Sequence, residues 1–284
     1  MGHDEQLAWE RRGSLPAAIA ALVAAVAALT AVILQARALN DRPDNDRGTL
    51  AVIDENGGQL VGSSAAQAIS VLLLGAVLFY LYRVTRHRRP ETPRYALHLA
   101  LAGPLLLAIA LVVNQLDVVD IADRFTSSGE RTERRAEDLL DDRSVVGATI
   151  GFAGQLALAF GLVVINLNAL RAGMVSRFLG IIGIITGVLF VLPLFGGPLI
   201  VQVFWLGALA AVFLNRWPGG RGPAWESGRA ERWPTYAEQR GLAAAPDADA
   251  GGDAQAQAPE PEPAVAGEPA PQRPASRKRR RKRR

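Results

Sequence analysis

Eight consecutive basic residues end the chain, in the stretch SRKRRRKRR, and we call them the basic tail. Clusters of about 4–8 Lys or Arg beside a membrane are typical of anionic-lipid binding, at about 1 kcal/mol per residue near the surface. The whole chain has a formal charge of +4, so the residues before this cluster are acidic on balance. We predict binding to anionic lipid headgroups through Arg277, Lys278, Arg279, Arg280, Arg281, Lys282, Arg283 and Arg284.

Other partners of the basic tail stay open at the level of the sequence. RNA or the ribosome could neutralise the same charges, because phosphate contacts require no base-reading side chain. An acidic partner protein is a further alternative. Within the chain, the carboxylates between Asp247 and Glu268, with no basic residue among them, could compete for the tail.

Two polar side chains in apolar stretches, His98 and Gln155, are candidates for an intramembrane polar site. His98 could accept a proton in a relay, or could be an interfacial side chain whose polar tip reaches headgroups or water. Gln155 could face a substrate path. Alternatively, it could hydrogen-bond to a neighbouring helix, an interaction worth about 0.6–2 kcal/mol.

The composition gives little support to enzymatic chemistry. The chain has no cysteine, which excludes disulfides and thiol catalysis, and three histidines leave little material for a metal site. No Asp, Glu, Lys or Arg lies in the long apolar blocks, so nucleophiles and proton donors are scarce there. We predict no catalytic residue, no cofactor and no metal, and favour a function without catalysis.

Six apolar blocks predict membrane-spanning helices. A hydrocarbon core about 30 Å thick requires roughly 20 apolar helical residues, and a charged residue at the centre of a span costs about 2.5–3.5 kcal/mol. The predicted fold class is an all-α integral membrane bundle: a short N-terminus (1–14), then a membrane domain (15–215) with spans at 15–35, 65–82, 95–116, 145–170, 178–194 and 199–214.

The last two spans form one apolar stretch, 178–214, which is interrupted at Pro193 and at Gly196-Gly197-Pro198. We interpret it as two short helices; a re-entrant hairpin is the alternative, and both return the chain to the side where it entered. Backbone groups at Gly/Pro breaks can bind solutes. The alternative function is therefore a small-solute permease or channel that uses this hairpin.

Arginines near the span ends predict the orientation. Residues 83–94 carry five Arg and a single Glu, whereas 36–64 and 117–143 are rich in carboxylates. We therefore predict that both termini are cytoplasmic and that 36–64 and 117–143 are exoplasmic. Span 1 could instead be a cleaved signal peptide, although its apolar core of about 20 residues exceeds the 7–15 typical of such peptides. Cleavage would leave the basic tail on the cytoplasmic side of the membrane.

The exoplasmic segments contain further predicted elements. Residues 49–62 match a short β-hairpin around Asn56-Gly57-Gly58. In 117–143, apolar residues at helical spacing extend span 3 outward. The sequence Ser-Ser-Gly-Glu at 127–130 matches a capping box, which predicts a second helix over about 129–142.

Small residues at four-residue spacing predict close helix packing, because they let two backbones approach. Span 4 contains Gly147 and Gly151, and span 5 contains Gly183 and Gly187. We expect these glycines to pack spans 4 and 5 together within one chain. Homodimerisation is the alternative, so the oligomeric state stays open.

Residues 216–284 are predicted to be a disordered cytoplasmic tail. Residues 243–276 hold almost no large apolar side chain, a composition typical of disorder. Trp225 and Trp233 are expected either on the cytoplasmic face of the bundle or in the headgroup zone.

The stretches LNALRAGMVSRFLGIIGIITGVLFVLPL and VQVFWLGALAAVFLNRWPGGRGPAWESG, with the basic tail, resemble an uncharacterised family of multi-pass membrane proteins from GC-rich bacteria. The resemblance implies a multi-pass protein of a bacterial plasma membrane but no activity, ligand or site residue. Our first hypothesis is a membrane-anchored interaction or scaffold protein whose basic tail binds anionic lipids.

Overall fold

The computed structural model describes residues 2–142, 145–192, 199–218 and 220–234. Within these ranges the chain is helical and contains no strand, in agreement with the predicted all-α class. The helices are α1 (His3–Ala38), α2 (Asp46–Glu55), α3 (Gly57–Arg88), α4 (Tyr95–Ser127), α5 (Glu133–Asp141), α6 (Val145–Arg171), α7 (Arg177–Val191), α8 (Leu199–Phe213) and the single turn α9 (Ala224–Ser227).

Six helices form a closed ring. Each of α1, α3, α4, α6, α7 and α8 packs against the next in this order, and α8 packs against α1. Helices α3 and α6 also touch across the ring, which closes its middle. The core is continuous through these six helices and includes the fully buried side chains of Leu74, Leu162 and Trp205.

Four helices, α1, α3, α4 and α6, are long and apolar enough to cross a membrane. Large apolar side chains cover their outer faces; Val26, Phe152 and Phe160, for example, are 58–62% exposed. A water-soluble protein rarely exposes so much contiguous apolar surface, so these faces contact lipid. The shorter α7 and α8 have 15 residues each, or about 22 Å at 1.5 Å per residue, and are also apolar.

Helix α1 packs closely on α3 through a face of buried alanines that includes Ala21, Ala24 and Ala28. Two buried serines of α3 donate across this contact, Ser70 Oγ to the Ala24 carbonyl and Ser63 Oγ to the Ala31 carbonyl, each over 2.8 Å. Small side chains allow the two helix backbones to approach closely, and each serine hydroxyl hydrogen-bonds to a backbone carbonyl of α1.

The predicted β-hairpin at 49–62 is wrong. Residues 46–55 form α2, and Gly57 begins α3. Asn45 caps α2 by accepting a hydrogen bond from the Gly48 amide over 2.8 Å, and Leu50 and Ile53, three residues apart, bury one face of the helix. Tertiary burial of that helical face prevails over the local turn preference of the Asn-Gly-Gly sequence.

The outward extension of span 3 is confirmed, since α4 continues to Ser127. Ile121, Ala122 and Phe125 are buried there in a separate apolar cluster that also contains Leu50 of α2. The second helix of this region, α5, begins at Glu133 rather than at 129, because the Thr132 side chain, not the Ser-Ser-Gly-Glu sequence, caps it.

Glycines of α6 face α4 rather than span 5. Gly151 lies against Ala110, Gly147 against Asn114, and Gly154 against the α4 backbone. The glycines of α7 face α6: Gly183 lies against Asn166, and Gly187 against the Ala159 carbonyl. Spans 4 and 5 therefore do pack together, but only the α7 glycines lie in that contact, and Gly147 and Gly151 serve a different helix pair.

The substitution Gly154→Ala should destabilise the protein. An added Cβ would lie 2.6 Å from the backbone nitrogen of Leu107 and 3.0 Å from the carbonyl oxygen of Gly103, and such overpacking costs about 1–3 kcal/mol. Gly207→Ala is the matched control, since a Cβ there meets no heavy atom within 4 Å. Thermal unfolding in detergent should show a lower midpoint only for Gly154→Ala; equal midpoints for the two variants would contradict this close approach.

Candidate functional site

The two ends of the bundle carry opposite charge. The arginine-rich end, defined as residues 2–14, 83–94, 171–177 and 214–234, holds thirteen Arg and six carboxylates. The acidic end, residues 36–64 and 117–142, holds seven Arg and fourteen carboxylates. Nine arginines of the first group are exposed and give this end a cationic surface: Arg11, Arg12, Arg83, Arg94, Arg171, Arg177, Arg216, Arg229 and Arg232.

A buried ion pair lies beneath this surface. Arg88 Nη1 and Nη2 donate to Glu10 Oε1 and Oε2 over 2.6 and 2.8 Å, and the two side chains are 0% and 3% exposed. Gln6 Nε2 donates to the same carboxylate over 2.9 Å, and Arg88 Nη1 also donates to the Val84 carbonyl. The two-point Arg–carboxylate geometry and the extra hydrogen bonds compensate for the loss of hydration.

The ion pair also holds the segment that follows α8. Arg88 Nε donates to the Ala224 carbonyl over 2.7 Å, and Trp225 Nε1 donates to the Met174 carbonyl over 2.8 Å. Trp225 and Trp233 are 7% and 8% exposed. Residues 220–234 are therefore packed on the bundle, so the disordered tail predicted from 216 does not begin there, and Trp225 lies on the bundle rather than among headgroups.

Aromatic rings fill the space between α1, α3, α8 and this segment. Tyr80 lies at the centre, with ring centroids 5.7 Å from Trp9, 5.1 Å from Phe213 and 6.4 Å from Trp225. Its hydroxyl donates to the Glu10 carbonyl over 2.8 Å. The rings thus exclude water from the ion pair, which strengthens its electrostatic attraction.

Arg221 completes the attachment of this segment. Its guanidinium lies 5.2 Å from the Trp225 ring centroid and donates to the Val212 and Phe213 carbonyls at the end of α8. Partial burial lowers the pKa of Arg221, and the nearby Tyr80 and Glu10 act in the opposite direction. A cation at a helix C-terminus is favourable because the last carbonyls of the helix have no partner within it.

The residues predicted as functional do not converge on one site. The basic tail, residues 277–284, lies outside the described residues. His98 is exposed on the outer side of α4, near the arginine-rich end, and faces away from the bundle interior. Gln155 donates through Nε2 to the Phe190 carbonyl of α7, as the interhelical interpretation of this residue predicts.

Among the described residues, one cluster of carboxylates could hold a metal ion. Single carboxylate oxygens of Asp46, Glu133 and Glu137 lie within 4.8 Å of one another. Glu133 is already engaged, since it accepts hydrogen bonds from the backbone amides of Asp46 and Arg47 and so caps α2. The arrangement docks α5 against the start of α2.

Comparison with known families identifies a family for most of the chain. The family described as a domain of unknown function (DUF4386) matches residues 17–217. The chain belongs to the DUF4386 family. The matched range contains the six ring helices except the first four turns or so of α1. Glu10 and the docked segment 220–234 flank the DUF4386 range. No curated protein and no solved structure matches the chain.

Sequence reasoning missed the Glu10–Arg88 pair. The two residues are 78 positions apart, and both lie outside the predicted spans, where charged residues are expected at a membrane surface. The one available signal was Trp225, a large apolar residue in a polar stretch that requires a buried partner surface.

Substituting Glu10→Gln should unfold the arginine-rich end more easily. The change leaves the buried guanidinium of Arg88 without a counter-charge, and such a loss costs about 3–5 kcal/mol. The matched control is Glu91→Gln, which breaks the exposed Arg89–Glu91 pair of 2.8 Å and should leave the thermal midpoint unchanged.

A double variant, Glu10→Leu with Arg88→Met, removes both charges and should lose less stability than Glu10→Gln alone, since no unpaired charge stays buried. If Glu10→Gln melted like Glu91→Gln, the pair would not support the fold.

Proposed function

We propose that this DUF4386 protein is a membrane-anchored interaction or scaffold protein without catalytic activity. Its arginine-rich end and basic tail bind anionic lipid headgroups. The observation that carries the proposal is the surface of nine exposed arginines around one end of an apolar bundle. Each cation close to an anionic leaflet contributes about 1 kcal/mol, so a surface of this kind favours acidic lipids strongly.

The proposal includes a topology of six spans with both termini on the cytoplasmic side of a bacterial plasma membrane. Arginines concentrate on the cytoplasmic side of membrane proteins. The excess of Arg at the arginine-rich end over the acidic end therefore supports a cytoplasmic position for the arginine-rich end. Helices α7 and α8 complete the ring beside the four long helices, which supports counting them as a pair of spans.

The attachment of residues 220–234 supports a role for the basic tail. Arg88, Arg221 and Trp225 fix this segment to the arginine-rich end. The basic tail is joined to the segment by the 42 residues between Pro234 and Arg277. Such a tether raises the effective concentration of the tail at nearby surfaces.

A small-solute permease is the second candidate function. One observation favours it: a polar cavity borders both the end of α7 and the start of α8, the hairpin that the permease hypothesis uses. Reconstituted protein that carried no specific flux of any neutral solute would remove this candidate without affecting lipid binding.

The orientation can be tested with single cysteines, because the native chain contains none. Ser127→Cys places a thiol at the exposed end of α4, and Ala230→Cys places one in the docked segment. In intact spheroplasts, a membrane-impermeant maleimide should label Ser127→Cys at once and Ala230→Cys only after permeabilisation. The reverse labelling order would overturn the proposed topology.

Removing the charge of the basic tail should weaken binding to anionic membranes. The protein, held in nanodiscs of zwitterionic lipid, is mixed with phosphatidylglycerol-containing vesicles, and co-flotation is measured at increasing salt. Replacing residues 277–284 with serine should reduce binding at least about ten-fold, given about 1 kcal/mol per residue near the surface. Wild-type binding should fall as salt rises, because the attraction is screened.

The control variant, Lys278→Arg with Lys282→Arg, keeps all eight charges and should bind like the wild type. Unchanged vesicle binding by the serine variant at low salt would refute a role for the tail. Retention of RNA or an acidic protein, with no retention of anionic vesicles, would assign the tail to one of those partners instead.

A further inference from the structure

A half-open cavity of about 390 Å³ lies among the ring helices at the acidic end. It is bordered by α1, α3, α4, α7 and α8. It lies at the level where α7 ends at Val191 and α8 begins at Leu199. The 15-residue helices α7 and α8 are less than half as long as α1, α3 and α4. The longer helices therefore continue past the ends of the hairpin and wall the cavity.

The cavity is polar although it lies at the end of an apolar bundle. Carboxamides and hydroxyls from four helices line it, and no charged residue lines it within the part of the chain that the structure describes. The polar lining residues are Gln35, Ser63, Ser64, Gln67, Asn114, Gln115 and Gln202. These residues lie at the acidic end, where the spans 15–35, 65–82 and 95–116 begin or end. Polar side chains from four separate helices therefore meet around one cavity.

Some of these groups already hold one another in position. Ser63 Oγ donates to the Ala31 carbonyl over 2.8 Å, and Ser64 Oγ donates to Gln115 Oε1 over 3.3 Å. Both hydroxyl protons are therefore engaged within the protein, so Ser63 and Ser64 offer acceptor oxygens to the cavity, and Ser64 holds the Gln115 carboxamide in position. This preorganisation reduces the cost of binding a ligand.

Gln202 differs from these groups, because its Nε2 atom is buried without a partner. The residue is 2% exposed, and its Nε2 donates to no acceptor within the described ranges. Buried side-chain donors in folded proteins are nearly always paired, and leaving one unpaired is destabilising. An acceptor oxygen supplied by a bound molecule would satisfy it.

The lining also restricts the charge of the ligand. An ion in the cavity would meet no opposite charge from the described lining residues to offset the hydration that it loses. Anions are disfavoured further by the acidic end beside the cavity, with its fourteen carboxylates and seven arginines. Carboxamides and hydroxyls instead match a molecule that carries both donors and acceptors and has no net charge.

Size and shape narrow the class of ligand. Small-molecule sites typically measure about 300–1,000 Å³, and a water occupies only about 30 Å³, so the cavity suits a molecule of several polar groups. Its remaining walls are apolar and include Leu111, Val118 and Phe190. These walls suit the carbon faces of a ring or a short chain whose edges carry hydroxyls.

We propose that this cavity binds a small uncharged solute rich in hydroxyl groups, of the polyol or monosaccharide class, with a solute oxygen accepting a hydrogen bond from Gln202 Nε2. The site is distinct from the arginine-rich end and does not depend on lipid binding. A permease would need such a site, but binding requires no transport, and the experiment below measures binding alone.

The experiment uses the full chain in zwitterionic nanodiscs and equilibrium dialysis against radiolabelled glycerol, sorbitol, myo-inositol and glucose. At least one of these should bind saturably. The charged counterpart gluconate should bind at least about ten-fold more weakly, because the cavity offers its carboxylate no opposite charge.

The variant Gln202→Met should lower the affinity for the bound solute by about ten-fold, the effect of losing one hydrogen bond. Its thermal midpoint should be equal to or above that of the wild type, because the buried Nε2 donor that it removes has no partner within the described ranges. A merely structural glutamine would show the opposite change in stability.

Asn168→Leu is the matched control. Asn168 is also a buried carboxamide of the bundle, but its Nδ2 donates to the Val164 carbonyl of its own helix over 2.8 Å, and it does not line the cavity. This variant should keep the wild-type affinity. Saturable binding of none of the four neutral solutes, or equal affinity of wild type and Gln202→Met, would overturn the proposal.

Discussion

The buried pair of Arg88 and Glu10 is the constraint on which the arginine-rich end depends. Two charges removed from water stabilise a fold only when their geometry is good and their other hydrogen-bonding groups are satisfied. The protein meets both conditions by bringing together α1, the end of α3 and the backbone at Ala224. Because these parts come from both flanks and the interior of the chain, the pair couples the N-terminus to the segment after the last ring helix.

The rest of the bundle is held by close approach rather than by charge. Alanines on α1 and glycines on α4, α6 and α7 bring helix backbones together, and serine hydroxyls of α3 bond across the contact to α1. Such packing suits a membrane, where lipid provides little hydrophobic driving force between helices. The shorter α7 and α8 close the ring at the arginine-rich end and leave a polar cavity toward the other end.

The two proposed activities use chemically opposite parts of the molecule. The exposed arginines form a charged surface that favours anionic headgroups, while the cavity is lined by neutral carboxamides and hydroxyls that favour a neutral solute. This separation follows from the energetics of a membrane protein: charge is tolerated at the ends, where water and headgroups solvate it, and is costly within the bundle. Each activity can therefore be removed without the other.

The sequence by itself determined the apolar helices and the unequal charge of their ends, because hydrocarbon thickness and charge solvation act on each segment independently. Only the tertiary structure decided that 46–55 is helical, that Gly151 faces Ala110, and that Glu10 meets Arg88. The polar cavity was likewise decided only by the tertiary structure. Its carboxamides Gln35, Gln67, Gln115 and Gln202 lie far apart along the chain, and the sequence does not show that they meet. Which helix faces meet depends on packing between distant segments, and that information is absent from local periodicity.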